Sequence, residues 1–565
     1  MKNLKNIFKL FNPNESKIFY LILLFIFFGM FVEALGIGVI FPALNLILDP
    51  NFIETYNFGN LTNQDFFTLT LLLFFLLYLV RFLFLVFLSY FQNKFVSLFC
   101  HRVTKDLLSG YIHQDYKYFI KTNTSELIKN ILVETTHFMS YFSSAITLLT
   151  ELTFIIAIIL IIIFIEPLGT ISVIVFFGIS AFLILNLTKN RLSSWGEMRQ
   201  EIDKSISKTV HEGFGAIKEI KVNKIEKFFI DNFDKSIFKK ANIHFKHLFV
   251  SQLPKNLFEL TAIFGMVLFG GILFFQNEEI SSIIAKSGVF VGASFKLIGS
   301  LNKVISNIQQ MKYYDASVAI IINEYFSNQK VKEASKKDPK IQFNHQITFK
   351  KVSYQYNENS KILNELSFNI NKGEVIGITG ESGAGKSTIL DLLLGIIEPS
   401  SGEILVDNLA LSSKNYHQWT PHISYVPQFV YLLDNSILDN IILNDYTSEV
   451  DQKKLADTLY KSNVENFLLK KKDKLNSVVG EKGNNLSGGQ LQRIGIARAL
   501  YKDSDVLILD EFTSNIDLNN EIEIMRRIMK DKNDKTIILT SHRKETLTFC
   551  DKILHIENGL LNEVK

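Results

Sequence analysis

Six apolar stretches dominate the first 305 residues and limit this part of the chain to a bundle of membrane helices. About 20 mostly apolar residues are needed for one α-helix to cross a bilayer. The predicted spans cover residues 18–44, 66–91, 141–165, 168–187, 248–275 and 280–305. Glu166 and Pro167 leave room only for a tight hairpin between the third and fourth spans. The sixth span is the least apolar, because it contains Lys286, Lys296 and Lys303.

Two polar stretches, 92–140 and 190–246, lie between spans and lack the Gly/Pro-rich texture of loops. We therefore predict helices that continue well beyond the bilayer. Both stretches carry many Lys and Arg residues, which places them on the cytoplasmic side. With six spans, the N-terminus and the C-terminal region lie on that side too. Residues 49–65 would form an outer loop, and the last helix would end near residue 324.

From residue 341 onward, short apolar strands alternate with helices, which predicts an α/β domain. The expected fold is thus a membrane bundle of six transmembrane α-helices, fused to a C-terminal α/β phosphate-loop ATPase domain. The expected domains are residues 1–327, a linker at 328–340, and residues 341–565. A net charge of +4 is too small to favour nucleic acid as a partner. The two cysteines, Cys100 and Cys550, offer neither a disulfide framework nor a metal cluster.

Residues 380–388 read G-E-S-G-A-G-K-S-T, which fits the phosphate-loop pattern and follows a predicted strand at 375–379. Backbone N–H groups of such a turn, with the helix N-terminus behind it, bind phosphates. Lys386 would reach the β- and γ-phosphates of ATP, and the Ser387 hydroxyl would hold Mg²⁺. The nucleotide contacts expected in this loop are Gly380, Ser382, Gly383, Ala384, Gly385, Lys386, Ser387 and Thr388.

The apolar run 506–509 leads into two carboxylates, Asp510 and Glu511. A strand with this ending is common in protein cores and means little alone. In a chain with a phosphate loop, Asp510 would order Mg²⁺ and Glu511 would polarise the attacking water.

About a hundred residues after the phosphate loop stands Leu486-Ser-Gly-Gly-Gln490. The two motifs, in this order and at this spacing, resemble the ATP-binding cassette (ABC) family, over about 225 residues. The resemblance implies that Tyr356, or its neighbour Tyr354, stacks on adenine. It also implies that Gln428 contacts Mg²⁺ and that His542 positions the attacking water and the γ-phosphate.

In this family the signature contacts ATP bound to a different cassette. The residues concerned here are Ser487, Gly488, Gly489 and Gln490. Because the chain has one cassette, the resemblance implies a homodimer with two ATP molecules at its interface. Six spans fused to one C-terminal cassette resemble ABC exporters, whose long intracellular helices transmit cassette closure to the membrane domain.

Charged side chains within the predicted spans are candidates for a substrate cavity, because such charges are costly and usually face the protein interior. They are Arg81, Lys255, Lys296 and Lys303. Lys296 and Lys303 are seven residues apart and share a helix face, with no carboxylate partner on their own helix. Arg81 either binds substrate or pairs with Glu33, and Lys255 either faces the cavity or extends toward the membrane surface. Doubled in a dimer, these cations suit an anionic head group such as pyrophosphate.

The membrane half also resembles the flippases for lipid-linked oligosaccharides in bacterial protein glycosylation. The matching pieces are Phe31-Val-Glu33-Ala with Phe41-Pro42, Arg81, Pro254-Lys255, and Phe295-Lys296 with Lys303 and Tyr313-Tyr314. Three basic positions are Lys where this resemblance leads us to expect Arg, which replaces bidentate contacts by point charges. The resemblance implies transport of an undecaprenyl-pyrophosphate-linked oligosaccharide from the inner to the outer leaflet of a bacterial cytoplasmic membrane.

Other functions fit parts of the pattern. A flippase for a lipid A-like glycolipid and an exporter of peptides or drugs share the architecture, although a drug cavity would be mainly apolar. An ATP-gated channel is an alternative that intact Glu511 and His542 disfavour. A cassette ATPase acting on DNA or ribosomes is inconsistent with six membrane spans.

Overall fold

The chain divides into two compact units, which the computed structural model describes over residues 2–38, 63–165, 167–276, 280–333, 341–355, 361–412, 415–443, 450–469, 471–531 and 535–564. The first unit comprises residues 1–114 and 119–332, and the second comprises residues 115–118 and 333–565. The domain boundaries expected from the sequence stay predictions.

The described part of the first unit is helical. The helices described between residues 2 and 333 are α1 (Lys2–Phe8), α2 (Pro13–Gly38), α3 (Asn63–Ile112), α4 (Tyr116–Lys121), α5 (Thr124–Lys129), a π-helical turn (Asn130–Glu134), α6 (Thr135–Ile165), α7 (Pro167–Gly215), α8 (Ile217–Asn223), α9 (Glu226–Phe275) and α10 (Ile280–Glu333). Helix α3 has 50 residues and is therefore roughly 75 Å long, whereas the apolar layer of a bilayer is about 30 Å thick. The long helices expected on either side of the spans are thus present.

Within the described residues, five helical segments are long and apolar enough to cross a membrane. They are Pro13–Leu35, Leu71–Ile112, Thr124–Ile161, Ile174–Gly215 and Glu226–Phe275. The predicted sixth span, 280–305, lies in helix α10 but is not among these five, so it stays a prediction. Residues 39–62, which include Phe41, Pro42 and most of the expected outer loop, lie outside the described residues.

One helix end differs from the prediction, and one helix–helix junction agrees with it. Helix α10 continues to Glu333, nine residues beyond the predicted end, so the first part of the expected linker is helical. Helix α6 ends at Ile165 and α7 begins at Pro167, at the predicted hairpin; proline suits the first turn of a helix because its missing N–H would have no partner there.

The second unit holds two sheets. Its strands are β1 (Gln346–Gln355), β2 (Lys361–Asn371), β3 (Val375–Gly380), β4 (Ser401–Val406), β5 (Leu409–Ala410), β6 (Ile423–Val426), β7 (Val506–Asp510), β8 (Thr536–Thr540), β9 (Lys552–Glu557) and β10 (Leu560–Glu563). Four strands form an antiparallel sheet in the order β2-β1-β4-β5, and six form a mixed sheet in the order β10-β9-β3-β8-β7-β6. Its helices include α11 (Lys386–Leu393) and α12 (Gly488–Lys502).

The centre of the six-stranded sheet is parallel and buried on both faces. All five residues of β7 and of β8 are buried, which explains their continuous apolar sequences. Strand β8 pairs in parallel with both β3 and β7, and Asp510 lies opposite Thr540. Parallel strands present their carboxyl ends at one edge, so this sheet collects the residues that follow β3, β6, β7 and β8 at a single site.

Candidate functional site

The phosphate loop lies between β3 and α11, the strand–turn–helix context that the sequence predicts. Gly385 caps α11 with φ +104°, a conformation that L side chains rarely adopt, and a Cβ there would lie 2.7 Å from the Leu363 side chain. The ammonium group of Lys386 points back into the loop, where it donates to the carbonyl oxygens of Gly380 (2.8 Å) and Glu381 (3.1 Å). The loop therefore presents the cation and the helix N-terminus that phosphate binding requires.

Strand β7 ends in the two predicted carboxylates, and Thr540 on β8 holds both. Its hydroxyl donates to Asp510 Oδ1 at 2.8 Å and accepts the backbone N–H of Glu511, also at 2.8 Å. Glu511 has φ +39°, which is unusual for a residue with a side chain. Nothing in the sequence marked Thr540 as a site residue, although it stands two residues before the predicted His542.

Three other predicted active-site residues, Gln428, His542 and Lys386, form a chain of contacts that includes Glu511. Gln428 donates its side-chain N–H to Glu511 Oε2 at 2.7 Å, and His542 Nε2 lies 3.3 Å from Glu511 Oε1. The same nitrogen lies 3.2 Å from the Lys386 ammonium nitrogen. In one tautomer His542 accepts from Lys386, and with a proton on Nε2 it donates to Glu511. Through His542, the arrangement can therefore move a proton between the Glu511 carboxylate and the Lys386 ammonium group in the phosphate loop.

The site carries more negative than positive charge in the absence of ligand. Burial and the neighbouring Glu511 raise the pKa of Asp510, against the hydrogen bond from Thr540. Burial and the charge of Asp510 raise the pKa of Asp391, on α11, to about 6. Sequence analysis missed Asp391. Among the described residues, no three or more His, Cys, Asp or Glu side chains are grouped so that they could hold a metal ion by themselves. Asp510 offers a carboxylate oxygen, the kind of ligand that Mg²⁺ prefers, and a bound nucleotide would have to supply further oxygen ligands.

The signature residues lie at the start of α12. Ser487 and Gln490 form a capping box: the Ser487 hydroxyl accepts the Gln490 backbone N–H, and the Gln490 side chain accepts the Ser487 N–H. Ser487 and Gly488 are exposed, so this helix N-terminus is open to a ligand or a second chain. Tyr356 lies outside the described residues, and its alternative, Tyr354, is buried.

The membrane unit contains a polar cavity of about 280 Å³ that brings together three of the four predicted cations. Arg81, Lys296 and Lys303 line it, and the remaining prediction, Lys255, is exposed on α9 and does not line it. The Arg81 guanidinium donates to both oxygens of Glu33, at 2.8 and 3.0 Å. The anticipated pairing of Arg81 with Glu33 is therefore present.

The two lysines also have carboxylate partners, contributed by other helices. Lys296 Nζ lies 2.7 Å from Glu33 Oε1, and Lys303 Nζ lies 2.7 Å from Glu151 Oε1. Glu33 and Glu151 are almost fully buried, with 1% and 4% of their surface exposed. From the sequence, Glu33 was a candidate partner for Arg81 only, and Glu151 was not a candidate. The lysines have no carboxylate partner on their own helix, so the sequence near them does not indicate either residue.

A phosphate loop at the carboxyl ends of parallel strands and a set of long apolar helices define a phosphate-loop ATPase built into a membrane protein. Comparison with known proteins narrows the class. The family model for the ABC transporter transmembrane region matches residues 20–285, and the ABC transporter model matches residues 363–514. Together the two models match well over half of the sequence, and the chain belongs to the ABC transporter family, with the fused arrangement of an exporter.

Individual relatives agree with this assignment. A probable ABC transporter ATP-binding/permease protein of Haemophilus influenzae is 32% identical over 304 residues, 53% of this chain and 54% of that protein. The chain thus spans about half the length of that relative. An ATP-dependent lipid A-core flippase of Francisella tularensis is 27% identical over 480 residues, 82% of this chain and 76% of that protein.

A solved structure of a bacterial Atm1-family ABC exporter with ATP bound shares the fold. Its TM-score is 0.79 at 20% identity, covering 98% of this chain and 95% of that chain. An ATP-binding cassette of this family implies ATP hydrolysis coupled to transport. The predicted exporter fold is confirmed; the roles of individual site residues stay predictions.

Proposed function

We propose that the chain is one half of an ATP-driven flippase that moves an undecaprenyl-pyrophosphate-linked oligosaccharide from the inner to the outer leaflet of a bacterial cytoplasmic membrane. The observation that carries the proposal is the cavity lined by Arg81, Lys296 and Lys303. Cations buried within the bilayer cost free energy. Binding of a pyrophosphate group is a function that would account for their presence. The relative named as a lipid A-core flippase supports a lipid substrate.

In the proposed ATPase, Glu511 accepts a proton from the attacking water while Gln428 and His542 hold its carboxylate and the water in place. Lys386 faces the β- and γ-phosphates from within the loop. Asp510, Ser387 and Gln428 would hold Mg²⁺. When bound, that ion would offset the negative charge of the phosphates.

We also propose that the working unit is a homodimer. The signature exposes Ser487 and Gly488 at a helix N-terminus, which is the feature that a second chain's ATP needs. Each of two identical sites would combine one chain's phosphate loop with its partner's signature. The cassettes then lie in the cytoplasm.

A second candidate substrate is a lipid A-like glycolipid, favoured by the similarity to the lipid A-core flippase of Francisella tularensis. Both substrates are anionic glycolipids, so the cavity charge alone does not separate them. Peptide or drug export and an ATP-gated channel are further alternatives, and the experiment below distinguishes each from a lipid flippase.

The test is translocation between leaflets in proteoliposomes, with a polyprenyl-pyrophosphate oligosaccharide as substrate. Parent protein is compared with Glu511→Gln, with Lys296→Ala/Lys303→Ala, and with Lys255→Ala as a matched cation control outside the cavity. We expect ATP-dependent flipping in the parent and in Lys255→Ala, none in Glu511→Gln, and a reduced rate in the double variant. ATP hydrolysis without flipping would reject this substrate, and lipid A and peptides would then be tested in the same assay. Ion flux gated by ATP would indicate a channel.

A further inference from the structure

The cavity in the membrane unit contains carboxylates that act as counter-ions for its cations, and the similarities to known proteins give these carboxylates no role. Its ionisable lining consists of three cations and two carboxylates: Arg81, Lys296, Lys303, Glu33 and Glu151. One positive charge per chain therefore remains. A carboxylate is a poor neighbour for a phosphate, so a cavity built only for tight anion binding would not contain two.

The two carboxylates are held firmly in place. Glu33 receives two hydrogen bonds from Arg81 and a third contact from Lys296, and only 1% of its surface is exposed. Arg81 also lies over the Tyr78 ring, 5.2 Å from its centre, which fixes the guanidinium. Glu151 is equally buried beside Lys303. Fixed carboxylates of this kind contribute a constant negative charge to the cavity.

The lysines, in contrast, are open to the cavity. The Lys296 and Lys303 side chains are 36% and 62% exposed, whereas the Arg81 side chain is 16% exposed. A lysine ammonium has three donors and can bind a phosphate oxygen while it keeps its carboxylate. Lys296 and Lys303 are thus the groups that an anion can reach, and Arg81 is a positioning residue for Glu33.

We infer that Glu33 and Glu151 determine substrate specificity by limiting the cavity charge. This inference rests on the proposed flippase function. In the proposed dimer the two cavities contribute two positive charges. A pyrophosphate esterified at both ends, to lipid and to sugar, carries about two negative charges, because each phosphorus retains a single ionised oxygen. A free terminal phosphate ionises further, with a second pKa of about 6, and brings a third negative charge. The cavity therefore matches the diester and disfavours the monoester.

Removal of one carboxylate should change this preference in a defined direction. Glu33→Gln or Glu151→Gln would double the charge contributed by each chain and favour the more anionic lipid. A unit charge within a few ångströms of a phosphate, at the effective dielectric constant of a protein, changes relative affinity about tenfold or more. Glu33→Asp keeps the charge and should restore the preference of the parent.

The experiment measures ATPase stimulation in nanodiscs at pH 8 by two lipids: a polyprenyl-pyrophosphate oligosaccharide and the same polyprenyl pyrophosphate without sugar. The quantity compared is the ratio of their half-maximal concentrations. Glu212→Gln is the control, since it neutralises a carboxylate in an exposed ion pair with Lys208, and neither residue lines the cavity. Glu151→Gln provides a second test because it removes a different ion pair, and thermal unfolding checks that each variant is folded.

We expect the parent, Glu33→Asp and Glu212→Gln to prefer the oligosaccharide lipid, and both Gln variants to shift the ratio about tenfold toward the monoester. A ratio that stays within about twofold of the parent in both Gln variants overturns the inference and leaves the flippase function intact. If neither lipid stimulates or is flipped by the parent, the proposed function and the inference fall together.

Discussion

The variant Thr540→Val tests how strand β8 supports the two catalytic carboxylates. Thr540 is fully buried, and its hydroxyl bonds both Asp510 and the Glu511 backbone N–H at 2.8 Å. Valine preserves the shape and removes both bonds. A hydrogen bond to a charged group contributes about 1.5–3 kcal/mol, and an unpaired buried N–H costs about 1–3 kcal/mol. Because the two effects overlap, we expect a loss of about 3 kcal/mol in the free energy of unfolding.

A matched control lies on the same strand. Thr536 is also fully buried, and its hydroxyl accepts a single neutral hydrogen bond, from the Gly373 N–H at 2.9 Å. Thr536→Val should cost about 1 kcal/mol, so the two variants should differ by about 2 kcal/mol. For a cassette of this size, that difference lowers the midpoint of thermal unfolding by roughly 4–8 °C more in Thr540→Val.

Activity separates the two variants more sharply. Loss of the Thr540 hydroxyl raises the pKa of Asp510 further, since that hydrogen bond now opposes the effect of burial. We expect Thr540→Val to need a higher Mg²⁺ concentration for half-maximal ATP hydrolysis and to lose about tenfold in kcat, and Thr536→Val to keep both values. Equal melting temperatures and equal Mg²⁺ dependence in the two variants would refute the assigned role of Thr540.

Three further predictions test the dimer, the charge at the ATP site and helix packing. Lys386→Ala and Ser487→Ala should each abolish ATP hydrolysis, but their mixture should recover part of it, because one composite site of a mixed dimer is intact; no recovery would argue against shared sites. The pKa of Asp391 is raised in the folded state, so this residue lowers stability as pH rises from about 4 to about 6. Asp391→Asn should therefore raise the free energy of unfolding at pH 7.5 by about 1 kcal/mol, after allowing for solvent screening, and should unfold at a higher temperature there. At pH 4.5 the gain should be small. In α7, a Cβ on Gly196 would lie 2.2 Å from a backbone oxygen of α10, whereas one on Gly178 meets nothing within 4 Å. Gly196→Ala should cost about 1–3 kcal/mol in thermal unfolding of the membrane unit and Gly178→Ala nothing; equal effects would contradict the packing.

The cassette was predictable because its signals are local. The glycine-rich turn follows its strand directly, and the rule that parallel strands end at one edge brings Gly380, Asp510 and His542 together without knowledge of the whole fold. Thr540 and Asp391 were not predictable in the same way. Their roles depend on the register of β7 against β8 and on the side of α11 that faces Asp510, which are set by tertiary packing.

The membrane unit was predictable in outline and less so in its contacts. Apolar length locates helices, but it does not give their rotation about their own axes. The pairing of Arg81 with Glu33 was predictable because the two residues are isolated opposite charges in two neighbouring spans. Glu151 and Lys303 are separated by 152 residues, and nothing in the local sequence indicates that α6 and α10 face each other there.

The stability of the protein should change in opposite directions when one charged side chain is neutralised at the ATP site and when one is removed from the membrane cavity. At the ATP site Asp391 repels Asp510, so its neutralisation relieves the folded protein. In the cavity, by contrast, every lining cation contacts a carboxylate, and Lys303→Ala leaves the buried Glu151 without its partner at 2.7 Å. Because the Lys303 side chain is 62% exposed, part of its charge is screened, and we expect Lys303→Ala to cost about 1–2 kcal/mol rather than the larger loss of a fully buried pair.

Adding Glu151→Gln to Lys303→Ala should recover most of that stability, since the double variant contains no uncompensated buried charge. Thermal unfolding of the parent, both single variants and the double variant provides the complete cycle. A double variant no more stable than Lys303→Ala would mean that the lysine acts through packing of its carbon chain. The carboxylates would then contribute charge to the cavity without depending on the lysines for their own stability.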